Sequence, residues 1–131
     1  MNVLDENVPA SQRQLLMSWR VRVRQIGVDV GRKGMLDDEV IPLLLTLRRP
    51  TFFSRDGGFY RPNHCHARYC LVYLDVEKNE VASFIWRMLR HPNLNTQSKR
   101  MGFVVRISRA GIWTRRQHQR GESRLTWPLA R

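Results

Sequence analysis

The stretch Tyr69-Cys70-Leu71-Val72-Tyr73-Leu74-Asp75 decides the fold. It is a near-continuous apolar run closed by an acid. A strand without polar alternation is buried on both faces, and such strands belong to parallel sheets covered by helices. The segment that follows supports this reading. Val81, Phe84, Ile85, Met88 and Leu89 fall at i, i+3, i+4, i+7 and i+8, which places them on one face of a helix. His91 and Pro92 end that helix, and Phe103 to Ile107 reads as the next strand. A strand, a crossover helix and another strand form the unit from which parallel sheets are built.

The same alternation extends toward the N-terminus. Met1 to Leu4 reads as a short buried strand running into Asp5, and Pro9 opens a helix carrying Leu15, Leu16 and Trp19. Arg20 to Arg24 alternates arginine with Val21 and Val23, the period of a half-exposed strand. Gly27, Gly31 and Gly34 mark a loop. Asp37, Asp38 and Glu39 precede the apolar run Val40 to Leu47, a helix-start pattern. Pro42 belongs in a first turn, which predicts a start near Asp38 or Glu39. Thr51 to Phe53 is a further short strand. Beyond Ile107, Ala110-Gly111 turns the chain into a strand around Ile112 to Thr114. The order β-α-β-α-β-β-α-β predicts an α/β fold with a mainly parallel central sheet.

The length of 131 residues predicts one domain, spanning 1–116, with a loosely ordered basic tail at 117–131. No apolar run approaches the ~20 residues that cross a bilayer. The opening MNVLDENVP has neither a basic leader nor an apolar segment, and two cysteines build no disulfide framework. A cytoplasmic chain with reduced thiols is the expectation. The charge is more telling. Lys and Arg total 23 against 11 Asp and Glu, a formal net charge of +12. Twenty of these cations are arginine, and from Gln97 onward Glu122 is the only acid. Such a field attracts polyanions, and guanidinium suits phosphate and bases.

Against that background the acids stand out. Leu4 runs into Asp5, Phe53 through Arg55 into Asp56, and Leu74 into Asp75, while Asp37, Asp38 and Glu39 open a helix. Ligands of open parallel sheets collect at the carboxyl ends of strands, so these loops can share one cleft. Each acid has a plainer reading as a turn residue or helix start. Gathered carboxylates would take up protons or hard cations such as Mg²⁺ or Mn²⁺, which can activate water against a phosphodiester.

The motifs at these positions resemble a bacterial PIN-like domain family. Leu4-Asp5-Glu6-Asn7-Val8-Pro9 looks like its LDENxP start, and Asp38-Glu39-Val40 resembles its D-E-[VI] helix start. Ser54-Arg55-Asp56 resembles its TRD motif, and Tyr69-Cys70-Leu71-Val72 is similar to its next strand. The resemblance covers roughly residues 2–116. It implies a three-layer α/β/α fold and a Mg²⁺- or Mn²⁺-dependent endoribonuclease, often the toxin of a toxin–antitoxin pair. It gives Asp5, Asp38 and Asp56 the metal role and adds Asp75 to the catalytic set. Glu6 and Asn7 lie in the motif and would orient the loop, and Glu39 and Arg55 are taken with them as supporting or substrate residues. Apart from the resemblance, Tyr60 and Arg61 set an aromatic beside an arginine, a pairing that can stack on unpaired bases or belong to a loop pinned by Phe59. RNA and an antitoxin protein are the implied partners, and a homo-oligomer is compatible with this reading. There is one departure. The family's RDxDF has a second acid where this chain has glycine, in Arg55-Asp56-Gly57-Gly58-Phe59. That leaves open a non-catalytic module binding RNA or an acidic protein.

Other constellations are weaker. His64, Cys65, His66 and Cys70 fit no standard zinc spacing. No phosphate-binding glycine motif and no G-x-S-x-G is present. Trp113, Arg115, Arg116, Arg120, Arg124 and Trp127 mix arginine with tryptophan, which suits RNA, an antitoxin peptide or simply a solvated face.

Overall fold

The computed structural model describes residues 1–128, so the last three positions of the predicted tail lie outside the described residues. Seven strands form one mixed sheet: β1 (Asn2–Leu4), β2 (Arg24–Gln25), β3 (Thr51–Ser54), β4 (Cys70–Leu74), β5 (Phe103–Ser108), β6 (Gly111–Arg116) and β7 (Ser123–Leu125). Their order is β2-β1-β3-β4-β5-β6-β7. The first five are parallel, and β6 and β7 are antiparallel additions. The helices are α1 (Ala10–Ser18), α2 (Asp37–Thr46), α3 (Val81–Leu89) and the short α4 (Gln97–Arg100). Among the described residues no helix is long and apolar enough to cross a membrane.

The sheet separates two apolar layers. On one face Leu16 of α1 and Val81, Phe84, Ile85 and Met88 of α3 pack on Leu4, Phe53, Val72, Val105, Ile107 and Ile112. On the other, Val40 and Leu44 of α2 pack on Val3, Phe52, Leu71 and Val104, joined by Phe59 and Tyr69 from the β3–β4 connection. Phe52 and Phe53 are adjacent and both fully buried, one in each layer. Each contributes roughly 1.5–3 kcal/mol by leaving water. The missing alternation in β3 and β4 therefore reflects burial from both sides.

The strand order reverses at β1. The chain moves from β1 to β2 through α1 on one face and from β2 to β3 through α2 on the other. The gap beside the carboxyl ends of β1 and β3 is thus the switch point where such sheets bind ligands.

Three expectations are corrected by the coordinates. The alternating segment from Arg20 to Val23 is not a strand: only Arg24 and Gln25 pair with β1. Arg20 takes φ 63°, and Val21 and Val23 reach the core from an irregular chain. The segment is held by Gln25, whose buried side-chain amide donates to the carbonyls of Asp5, Glu6 and Val8 at 3.1, 3.2 and 2.9 Å. Second, α2 begins at Asp37, because Glu39 Oε1 accepts the Leu36 N–H at 3.1 Å and fixes an earlier start. Pro42 then lies in the second turn. Third, residue 116 is no boundary. β7 pairs with β6, and Trp127 packs on Phe84 and His91 while its Nε1–H donates to Ser108 O at 2.7 Å.

Candidate functional site

β1 delivers Asp5 to the carboxyl edge, where its N–H donates to Phe53 O at 2.9 Å and sets it beside β3. Its carboxylate accepts the Glu6 N–H at Oδ1 (2.8 Å) and the Ser54 hydroxyl at Oδ2 (2.6 Å). The same Ser54 oxygen accepts the Asp56 N–H at 3.0 Å. One hydroxyl therefore ties the first acidic loop to the second. Asp56 Oδ1 accepts the Gly58 N–H at 2.8 Å, an Asx turn that starts the short 3₁₀ turn Gly57–Phe59. The third carboxylate is Asp37, the first residue of α2, whose side chain lies within hydrogen-bond reach of Asp56 and in the field of Asp5.

This crowding perturbs the acids. Burial raises the Asp5 pKa above the ordinary aspartate value; the Ser54 and Glu6 hydrogen bonds oppose the rise, and the charges of Asp56 and Glu6 add to it. Asp37 is also raised, first by desolvation, then by its hydrogen bond to Asp56 and by the charges of Asp56, Asp5 and Asp38. Carboxylates in contact must share a proton or recruit a cation. A cavity of about 230 Å³, lined by Asp5, Asn7, Val8, Arg55 and Asp56, opens at this point.

Among the described residues, no group of three His, Cys, Asp or Glu side chains is close enough to hold a metal ion as the chain stands. A hard divalent cation needs less than that. Mg²⁺ commonly takes one or two carboxylates, with waters and phosphate oxygens completing its shell. The Asp37–Asp56 pair and adjacent Asp5 fit that donor chemistry.

The other sequence-predicted residues fall elsewhere. Asp37 and Asp38 are both exposed, and it is Asp37 that makes the contact with Asp56. Asp75 lies one strand further along the edge, in an ion pair with Arg106 at 3.1 Å. Both Glu6 carboxylate oxygens accept the Gly34 N–H at 3.0 Å, which braces a loop. Glu39 pairs with Arg32, and its bond from the Leu36 N–H holds its pKa below the usual value. Asn7 and Arg55 line the cavity, and Arg55 Nε donates to Val76 O at 3.0 Å. Tyr60 bonds to Glu122 beneath the Arg115 guanidinium, 5.7 Å from its ring, and its pKa is raised by burial and that carboxylate. Arg61 is exposed.

The histidines of the His64–Cys70 segment bond within their own loop. His64 Nδ1 bonds to Phe59 O at 3.2 Å, and His66 Nδ1 accepts the Arg68 N–H at 3.1 Å. Cys65 and Cys70 are free and buried, and burial pushes the Cys70 thiol up to about 12.

Sequence reasoning placed Asp37 only within the acidic run Asp37–Glu39, giving the metal role to Asp38, and did not single out Ser54 for the site. A three-acid run at a helix start does not say which side chain turns toward Asp56. A serine two residues before Asp56 is a signal in retrospect, since its hydroxyl can bond the loop N–H while also donating to a neighbour. In comparisons with known proteins, no family model, no curated protein and no solved structure matches this chain.

Proposed function

We propose that this protein is a metal-dependent endoribonuclease of PIN-like type, with Asp5, Asp37 and Asp56 as its acidic centre. The observation that supports the proposal is the Asp37–Asp56 pair at the β1/β3 switch point, with Asp5 tied to the Asp56 loop through Ser54 and both Asp5 and Asp37 raised in pKa. A bound Mg²⁺ or Mn²⁺ would supply charge neutralisation and an activated water. The protein's own part is positioning. Ser54 and the Glu6 N–H fix both oxygens of Asp5, the Gly58 N–H fixes Asp56, and Arg55 brings a guanidinium to the cavity wall. The net charge of +12 draws RNA toward that cavity, so binding weakens steeply with salt. Service as the toxin of a cytoplasmic toxin–antitoxin pair belongs to the same reading, and arrest of growth on expression checks it.

The test is RNA cleavage by Asp5→Asn with Mg²⁺, Mn²⁺ and EDTA. Cleavage should fall at least about 100-fold, more than the loss typical of a residue that only supports a metal ligand. Cleavage at the wild-type rate, or undiminished in EDTA, removes the proposal. A second reading, a non-catalytic module binding RNA or an acidic partner, is favoured by glycine at 58. A Cβ there would stand 3.1 Å from Asp56 Oδ1 and 4.0 Å from Asp37 Oδ2, so this chain leaves empty the position from which a fourth carboxylate would enter the centre. Salt-sensitive RNA binding without cleavage in any metal identifies that module.

A further inference from the structure

The ladder registers place Ser54, Tyr73, Arg106, Trp113 and Arg124 in one row across β3, β4, β5, β6 and β7. Residues directly paired across a sheet point to the same face. That face is the α2 side, whose apolar layer reaches Val104. Two residues along β4 and β5 from that layer, at Tyr73 and Arg106, the side chains become aromatic and cationic, and Trp113 and Arg124 continue them across β6 and β7. Tyr73, Arg106 and Trp113 are half-buried and Arg124 is exposed. The Arg106 and Arg124 guanidiniums lie 4.8 and 5.3 Å from the Trp113 ring centroid. The row starts at the acidic centre: Ser54 bonds Asp5, and the Tyr73 ring borders Gly57, where a Cβ would stand 3.2 Å from its Cζ.

We propose that this row is a binding track for a single-stranded polynucleotide, leading away from the acidic centre across the sheet. The extension to substrate class rests on the nuclease reading, although the track itself does not require cleavage. Ser54 itself is buried, so the accessible part of the row runs from Tyr73 to Arg124; adjacent strands lie about 4.8 Å apart, and it spans about 14 Å. Four-stranded sheets that stack two or three unpaired bases on surface aromatics work at this scale. Tyr73 and Trp113 offer ring faces or edges to bases, and the interleaved arginines offer guanidinium planes and phosphate contacts. Two acids bond the row: Asp5 through Ser54 at its start, and Asp75 through Arg106 at 3.1 Å. The two side chains of the Arg106–Asp75 pair keep 38% and 44% of their exposure. Exposed pairs are weak, so a phosphate can take the place of Asp75. Stacking needs bases whose faces are open, so the track selects unpaired strands over duplex.

The experiment measures binding of oligo(U), oligo(dT) and a duplex of equal length by fluorescence anisotropy, in EDTA so that no cleavage intervenes. Wild type should bind both single strands alike and the duplex more weakly. Trp113→Leu should weaken single-strand binding about tenfold, the loss of one stacked base. Arg124→Ser, at an exposed position whose guanidinium also donates to Ala110 O at 2.9 Å, should flatten the salt dependence by about 0.7 in log–log slope while the thermal melt shows the variant folded. Trp86→Leu is the control, because Trp86 also carries an arginine over its ring (Arg90, 4.1 Å) but stands on α3 outside the row. Wild-type single-strand affinity in both Trp113→Leu and Arg124→Ser, or duplex bound as tightly as single strand, overturns the track. Preference for oligo(U) over oligo(dT) would overturn the claim that stacking rather than the 2′-hydroxyl governs recognition. The parent reading fails separately, by undiminished cleavage in Asp5→Asn.

Discussion

The two edges of the parallel sheet each gather like charges, and they handle them differently. At the amino edge, Leu47, Arg48, Arg49, Ala67, Arg68, Ser98 and Met101 surround a cavity of about 450 Å³. The cations there turn to neutral oxygens. Arg68 donates to Leu45 O at 3.0 Å, the Met1 amino group to Arg49 O at 3.3 Å, and Lys99 to Pro92 O at 2.7 Å. Arg100, only 5% exposed, donates to Thr51 Oγ1 and Leu94 O at 3.0 and 2.8 Å. At the carboxyl edge, Asp37 faces Asp56, and Ser54 ties Asp5 to the Asp56 loop. The amino edge is settled by its own carbonyls, whereas the carboxyl edge keeps a mutual repulsion that only a proton or an added cation relieves. Accumulated charge of one sign marks a site when the fold leaves it unanswered.

The sharpest way to break this contrast is Arg100→Met. If the amino edge is held by hydrogen bonds to buried cations, losing Arg100 strands Leu94 O and the Thr51 hydroxyl. Stability should fall by about 3 kcal/mol, since each unsatisfied buried group costs about 1–3 kcal/mol. Arg48→Met, with no such role, should stay within about 0.5 kcal/mol. Denaturant midpoints at constant m-value measure both. Equal effects would mean that the edge is held by general packing. Somewhat smaller is the response of the other edge to metal. Mn²⁺ or Mg²⁺ at about 100 times its dissociation constant should add about 2.7 kcal/mol to wild type, read as a rise in Tm. The rise should shrink in Asp56→Asn. A divalent cation that leaves Tm unchanged would mean that the acids satisfy one another without it.

What the sequence revealed follows the same division. Elements whose pattern records burial were legible: the unbroken apolar run of β4, the helical periodicity of α3 and the β5–β6 hairpin all form as read. Elements fixed by one tertiary bond were not. Val21 and Val23 mimic a strand because they are buried, yet the buried amide of Gln25 sets the backbone there. β7 was invisible because Ser123, Arg124 and Leu125 carry no apolar alternation long enough to read, and only β6 gives them a partner. At the site, strand-end acids could be picked out because each follows an apolar run. Which residue of the Asp37–Asp38–Glu39 turn faces Asp56 depends on where α2 begins, and a single hydrogen bond from the Leu36 N–H to Glu39 decides that.

The smallest effect tests the contrast most directly, by pH. Asp37 has a raised pKa in the folded protein, whereas in the unfolded chain it titrates near the ordinary value of about 3.9. Between those two values the folded state binds more protons than the unfolded state, so stability falls as pH rises through the window. Below it both states are protonated and the repulsion is absent; above it the full cost remains. Asp37→Asn removes the charge that faces Asp56. In EDTA near pH 7 the variant should therefore be slightly more stable than wild type, by about 0.5 kcal/mol, as expected for an exposed charge contact. Near pH 3 the two should melt together. With saturating Mn²⁺ at neutral pH the order should reverse, because a ligand has been lost. A variant less stable than wild type at neutral pH without metal would show that Asp37 is held by favourable contacts, and the carboxyl edge would then be as settled as the amino edge.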